Sequence, residues 1–313
     1  EAENLIQSIK ENTGGLRSGG KYVNVCCGIF ITSDRVQYPH WEQLANAIQL
    51  SERISKLNFF NVQLDEHTLQ MIERSVRQKG LAGLYLGSNQ FREGEGVKFA
   101  VDVLNSNRLV DAFSWSGNTF RSTEDACKLI DTVLEHPKIK DLVLWSSLNS
   151  GSISSAPIRR LFGGVGTSKL DTIHLNHNGI ETNGDRCISD FLAANPPLRI
   201  LSLIGNELND DDALRIGLAL QSNTNLRFLD LNNNKLTKRG KLFMYHQSIL
   251  GLSTSYLSTL KSTVEANLNT VSGANHTCEI AGISGSKTFM INHRDKPAKW
   301  NRGRKLFCLL WRK

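Results

Sequence analysis

Nowhere in these 313 residues does an apolar run approach the roughly 18 needed to cross a bilayer, and the longest late one, residues 306–311, is far shorter. No membrane insertion is expected. The first residues, EAENLIQSIKEN, lack an initiator Met and lack a basic-then-apolar leader, as expected of a fragment or processed chain. Six cysteines, at 26, 27, 127, 187, 278 and 308, form no CxxC pair and no close cluster. A disulfide framework is therefore not indicated, and a reducing, cytoplasmic setting is expected.

Catalytic signatures are equally scarce. There is no G-x-S-x-G elbow and no pair of carboxylates at a telling spacing. The stretch GGVGTSK at 163–169 matches neither G-x-x-x-x-G-K-[ST] nor G-x-G-x-x-G and reads as a loop after a helix C-terminus. His174 and His177, with Asp171 nearby, straddle a strand end without converging on a point, so no metal is expected. Cys127 and Cys187 fall in helical patterns with no base at hand and read as small apolar packing groups. Asn275 heads the N-x-[ST] sequon, which matters only for a secreted chain. The chain is expected to be no enzyme, to hold no cofactor and to act as a monomer.

Charge is unevenly spread. Residues 287–313 carry nine Lys or Arg and one acid, which leaves 28 basic against 29 acidic residues before them. The body is neutral and the tail basic, so the net charge of +7 describes neither part.

What the sequence does have is a repeat. LRILSLIGNEL at 198–208 and LRFLDLNNNKL at 226–236 share the skeleton L-x-x-L-x-L-x-x-N-x-L. The skeleton recurs at Leu81 and Leu170, more loosely at Ile54, Val110 and Ile139, and weakly at Cys26. Successive starts are 28, 27, 29, 29, 31, 28 and 28 residues apart, about eight units in all. In LRFLDL, period-two alternation sends Leu229 and Leu231 to one face and Asp230 to the other, a short strand. In EDACKLIDTVL, the stripe Ala126, Leu129, Ile130, Val133 and Leu134 marks a helix, with Thr123 as the expected N-cap.

A lone unit of one strand and one helix buries five or six side chains at about 1.5–3 kcal/mol each. Fixing its roughly 28 residues costs about 1–2 kcal/mol apiece in backbone entropy. Units must stack, with strands side by side and helices outside.

This pattern over about residues 26–250 resembles the leucine-rich repeat family, and its period with a helix per unit resembles the ribonuclease-inhibitor-like branch. The resemblance implies an α/β horseshoe, a curved solenoid with a parallel inner sheet, outer helices and a C-terminal cap. Residues 1–25 are expected to be an N-terminal helix or the remnant of an earlier repeat, 26–252 the solenoid, and 253–313 a helical cap with a basic tail. The NHTC and NRGRK segments near the end are similar to those of some microalgal leucine-rich repeat proteins, which implies no activity.

The Asn at 89, 118, 178, 206 and 234 is expected to satisfy backbone groups where each strand turns outward, as a ladder. Asp34, Val62 and Ser147 replace it in three units.

The face opposite the helices is left for function. Its acids Asp111, Asp141, Asp171 and Asp230 balance Lys56, Lys140, Arg199 and Arg227, so the acidic arc that a ribonuclease inhibitor needs for basic partners is absent. Aromatic groups on a rigid sheet offer contact area at little entropic cost. The expected function is therefore a protein-interaction scaffold, with a partner held on the concave face by Phe30, Phe60, Tyr85, Val143, Trp145, His174, Asn176, Ile204, Asp230 and Asn232. Two alternatives stand beside it. One is a small-GTPase regulator resembling Ran GTPase-activating proteins, although their acidic tail is here a basic one. The other is binding of nucleic acid or an acidic surface through the basic tail.

Overall fold

The computed structural model describes residues 22–31, 35–77, 79–92, 94–151, 153–244, 278–282, 292 and 295–302. The expectations for residues 1–21, for Asp34, and for the cap and tail over 245–277 and 303–313 lie outside them. The chain divides into two compact units, Glu1–Leu161 and Phe162–Lys313.

In unit 1, strands β1 (Tyr22–Ile31), β2 (Lys56–Leu64), β3 (Gly83–Gly87), β5 (Ala112–Ser116) and β6 (Asp141–Trp145) pair in that order. All of these pairings are parallel. A two-residue strand, β4 (Gln90–Phe91), pairs separately with the end of β2. Helices α1 (Tyr38–Leu50), α2 (Glu66–Val76), α3 (Glu95–Ser106) and α4 (Thr123–Glu135) connect them, and α5 (Ala156–Gly163) contains the division between the units. In unit 2, β7 (Thr172–His174), β8 (Ile200–Ser202), β9 (Phe228–Asp230) and β10 (Glu279–Ala281) form a second parallel series. Helices α6 (Cys187–Ala193), α7 (Asp210–Ser222) and α8 (Lys238–Met244) lie between them in sequence. GGVGTSK, expected as a loop, instead tightens into a 3-10 turn at Val165–Lys169.

Each unit is a leucine-rich repeat solenoid, and the alternation read from the sequence explains it. Leu57, Leu84, Phe113 and Leu142 stand in one cross-strand row of unit 1, and Phe59, Leu86, Trp115 and Leu144 in the next. All are buried. In unit 2 the row is Ile173, Leu201, Leu229 and Ile280, also buried. Parallel strands need crossovers, and the helices supply them while covering the leucine face. In α4 the buried residues are the predicted Ala126, Leu129, Ile130, Val133 and Leu134. Its N-cap is Ser122, not Thr123: Ser122 is extended and its side chain accepts the Asp125 N–H at 3.1 Å. Thr123 lies one residue inside, where Oγ1 accepts from the Ser154 N–H at 3.1 Å.

The asparagine ladder forms as expected. Asn89 accepts the Val62 N–H (3.1 Å) and donates to the Phe59 carbonyl (2.8 Å), one repeat back. Asn118 accepts from the Asn89 N–H and donates to Leu86. In unit 2, Asn206 accepts from the N–H groups of Asn178 and Ile180 and donates to Leu175 and Leu203, and Asn234 accepts from Leu208. Where Ser147 replaces Asn, its hydroxyl reaches the Trp115 carbonyl at 2.8 Å. Val62 has no polar side chain, and its own N–H is satisfied by Asn89.

A second polar column went unread in the sequence. Three residues before five of the skeletons stand Ser51, Asn107, His136, Thr167 and Asn223, all buried. Asn107 donates to Val103 and accepts the Leu81 N–H. His136 Nε2 lies 3.0 Å from the Asn107 carbonyl, and Asn223 donates to Leu192 while accepting the Leu226 N–H. These side chains close helix C-termini and start the next strand. The eighth skeleton position is left-handed throughout: Asn61, Ser88, Gly117, Ser146, His177, Gly205 and Asn233 all have φ between 48° and 66°. It is the turn that ends each strand, which suits Gly, Asn and small polar residues.

Two corrections concern the ends. The first repeat does not start at Cys26. Val23 and Val25 pair with Leu57 and Phe59 and point inward, while the register slips between Cys26 and Ile31. Residues 24 and 58 are partners, so Asn24, not Phe30, holds the fifth position. The cause is competition between two runs: the apolar VCCGIFI offers an alternative in-out phase, and the bulge takes up the difference. At the other end, the stretch 253–313, expected as a helical cap, contributes a strand: β10 continues the sheet beyond β9.

Asn206→Ala removes a side chain that serves four buried backbone groups, of which only the Leu203 carbonyl is also reached by Asn234, and should cost roughly 2–4 kcal/mol in urea unfolding, whereas Trp145→Ala should stay within about 1 kcal/mol. A cost for Asn206→Ala as small as that for Trp145→Ala would remove the ladder from the account. Gly205 sits at φ 66° under the His177 ring, which a Cβ would strike. Gly205→Ala should therefore destabilise by roughly 2–3 kcal/mol, with roughly 1–2 kcal/mol remaining in a His177→Ala background, where only the backbone penalty is left.

Candidate functional site

The helix-free face of unit 1 is built from alternate residues of β2, β3, β5 and β6. In register, its rows are Lys56, Gly83, Ala112 and Asp141; then Asn58, Tyr85, Ser114 and Val143; then Phe60, Gly87, Ser116 and Trp145. Four predicted contact residues, Phe60, Tyr85, Val143 and Trp145, thus share one surface. Phe60 is 43% and Trp145 52% exposed; Tyr85 and Val143 are half-buried.

Glycines shape this surface. A Cβ at Gly87 would come within 2.5 Å of the Phe60 ring, and one at Gly83 within 2.7 Å of Tyr85. Phe60 therefore leans across β3 and Tyr85 folds back along its own strand. The Ser114 and Ser116 hydroxyls bond each other at 2.8 Å. The sequence columns contain Gly87 and Ser116 between Phe60 and Trp145, but their role as a floor depends on cross-strand register and went unread.

The helix-free face of unit 2 differs. His174, Asn176 and Ile204 are half-buried and Asn232 is exposed. Asn176 Oδ1 accepts from the Ser202 hydroxyl (2.7 Å) and the Ile204 N–H (3.0 Å), so it braces its neighbouring repeat. Asp230, expected to be exposed, is buried. Its Oδ1 accepts from both nitrogens of Asn232, at 3.0 and 2.8 Å, and β10 flanks it, with Ala281 as its partner in register. Sequence alone placed β9 as the last strand of the sheet, which would have left Asp230 open. Arg199 lies 3.8 Å from Asp171, one expression of the charge balance read from the sequence.

Other groups were weighed as chemistry. Among the described residues no three His, Cys, Asp or Glu come together as a metal cluster. A groove of about 700 Å³ in unit 1 is lined by Phe91, Arg92, Trp115, Gly117, Arg121 and Asp125 among others. Phe91, Trp115 and Phe120 stack beneath it, with centroids 5.3 and 5.5 Å apart. Its charges oppose one another: beside Arg92, Glu95 is held above the usual carboxylate range by burial and then by Glu66, against the pull of Arg92.

Cys127 and Cys187 are half-buried and Cys278 is buried, all as thiols. Burial raises the Cys127 pKa against the opposing Arg160. Burial, helped by Glu279, pushes Cys278 far up. Neither is activated as a nucleophile, since attack needs the thiolate.

No family model matches the chain, and no curated protein does either. Among solved structures it is similar to a Bacteroides fragilis protein, at 12% identity and a TM-score of 0.47, over 86% of this chain and 77% of that one. It is also similar to the tropomodulin C-terminal domain of Caenorhabditis elegans, at 16% identity and a TM-score of 0.36, over 53% and 95%. A third is actin-binding site 2 of leiomodin-1, at 15% identity and a TM-score of 0.36, over 45% and 77%. No helix among the described residues is long and apolar enough to cross a membrane.

A thiol whose pKa is higher folded than unfolded keeps its proton longer in the native state, so its contribution is complete below the unfolded value of about 8.5 and declines as pH rises above it. Urea midpoints should therefore fall between pH 8 and pH 10, and Cys278→Ala should flatten that slope. An unchanged slope would place the Cys278 thiol in a polar environment.

Proposed function

We propose that the chain is a non-enzymatic scaffold of the ribonuclease-inhibitor-like type, acting in the cytoplasm, and that it holds a protein partner on the concave, helix-free face of unit 1. The carrying observation is the exposure of Phe60 and Trp145 in one row of a four-strand surface whose floor is small and rigid. Large aromatics anchored on a sheet lose little freedom on binding, and such residues dominate interface energies. The subtype reading is supported by a helix between successive strands and a period near 28 residues. Among the site residues, Phe60, Tyr85, Val143 and Trp145 make the principal contact, while His174, Asn176 and Asn232, with the apolar Ile204, offer a secondary surface in unit 2. Nothing among the described residues adds to the GTPase-regulator reading. Lys296 lies 5.6 Å from the Trp300 ring, and the rest of the basic tail from residue 303 lies outside the described residues.

Immobilised full chain and a Phe60→Ala/Tyr85→Ala/Trp145→Ala variant, offered the same source lysate, should differ. The wild type should retain partner bands that the variant loses, while both melt within a few degrees of each other. Identical partner sets would remove the support for this face.

A further inference from the structure

The unit 1 face is free of charge beyond its strand-start edge. Lys56 and Asp141 frame that edge. Above them, Asn58, Tyr85, Ser114 and Val143, then Phe60, Gly87, Ser116 and Trp145, then the turn residues Asn61, Ser88, Gly117 and Ser146 include no group ionised at neutral pH. A charged partner side chain seated there would lose its hydration with no counter-charge in reach. The surface thus selects against charge in whatever covers it.

Its relief sets a width. The Phe60 ring lies over Gly87 on β3, and the half-exposed Trp145 sits on β6 in the same row, with only β5 and its Ser116 between them. At ~4.8 Å per strand the two walls stand about 10 Å apart. Subtracting half of a carbon–carbon contact distance at each wall leaves about 6 Å. An α-helix, about 10–12 Å across with its side chains, does not enter. One extended chain, which occupies about 4.8 Å laterally, does. On the floor, one hydroxyl proton of the Ser114–Ser116 pair is not consumed by their mutual bond. It is available to a main-chain carbonyl.

We infer that this slot takes an extended, uncharged peptide segment, with one apolar side chain lodged between Phe60 and Trp145 and main chain over Ser114 and Ser116. The inference rests on the function proposed above and narrows its partner class.

The test uses the full chain and a displayed library of random linear peptides. Peptides selected on the wild type should have an apolar, charge-free centre. They should bind Phe60→Ala and Trp145→Ala at least about tenfold more weakly. Ser116→Leu, which fills the slot and keeps both walls, should abolish binding, while Lys128→Ala on α4 should not change it. Should an Ala variant lose its thermal transition, Trp145→Phe and Ser116→Leu decide the matter. Selected peptides that depend on Trp145 but centre on acidic or basic residues, or that bind only when locked as helices, overturn the inference and leave the scaffold reading standing. Trp145-dependent binding to a glycan array with no peptide binding also overturns it. If neither peptides nor cellular partners distinguish the wild type from the triple variant, both readings fall.

Discussion

A buried backbone amide must find a partner, and in this chain the partner is carried by the next repeat. Where each strand turns outward, N–H and carbonyl groups leave the sheet before a helix can take them up, in a place water does not reach. Asn89, Asn118, Asn206 and Asn234 each reach back one repeat to meet that need. A single repeat therefore has neither enough apolar surface to offset its entropy nor the hydrogen-bond partners for its own turn. Cooperativity between neighbours follows from both deficits together.

The second column does the same service at the opposite edge of the strand. Asn107, His136 and Asn223 terminate one helix and fix the start of the following strand. With the left-handed eighth residue closing the strand, each short strand is defined at both ends by polar groups and in its middle by two leucine-like side chains. The helix-free face of unit 1 takes no part in these two columns. Its residues can vary without breaking the repeat, which is why Phe60, Gly87, Ser116 and Trp145, so different in size, occupy equivalent positions in one register row. The unevenness of that row gives unit 1 a shaped surface; in unit 2, Asn176 and Asp230 spend their polar atoms on their own neighbourhood.

The repeat, the inward leucines, the helix stripe of α4 and the asparagine ladder were all legible because each depends on a residue type at a fixed spacing. The failures share a different origin. Ser122 was passed over for Thr123 because both residue types cap helices, and only the backbone angles distinguish them. Phe30 was assigned to the fifth column because VCCGIFI supports two phases of alternation, and pairing with β2 settled which. Asp230 was read as exposed because β10 joins β9 across 48 intervening residues in sequence, too distant for any local pattern.

By itself, the sequence determined that strand and helix must alternate, that the modules must stack, and which side chains point inward, since those follow from short-range periodicity and from the cost of burying unpaired polar groups. Tertiary structure decided where the first repeat begins, which strand shields Asp230, and that Phe60 leans over Gly87 in the row that Trp145 shares. Those outcomes depend on register between strands that lie a repeat or more apart in sequence, and register is fixed by cross-strand packing that no single segment contains.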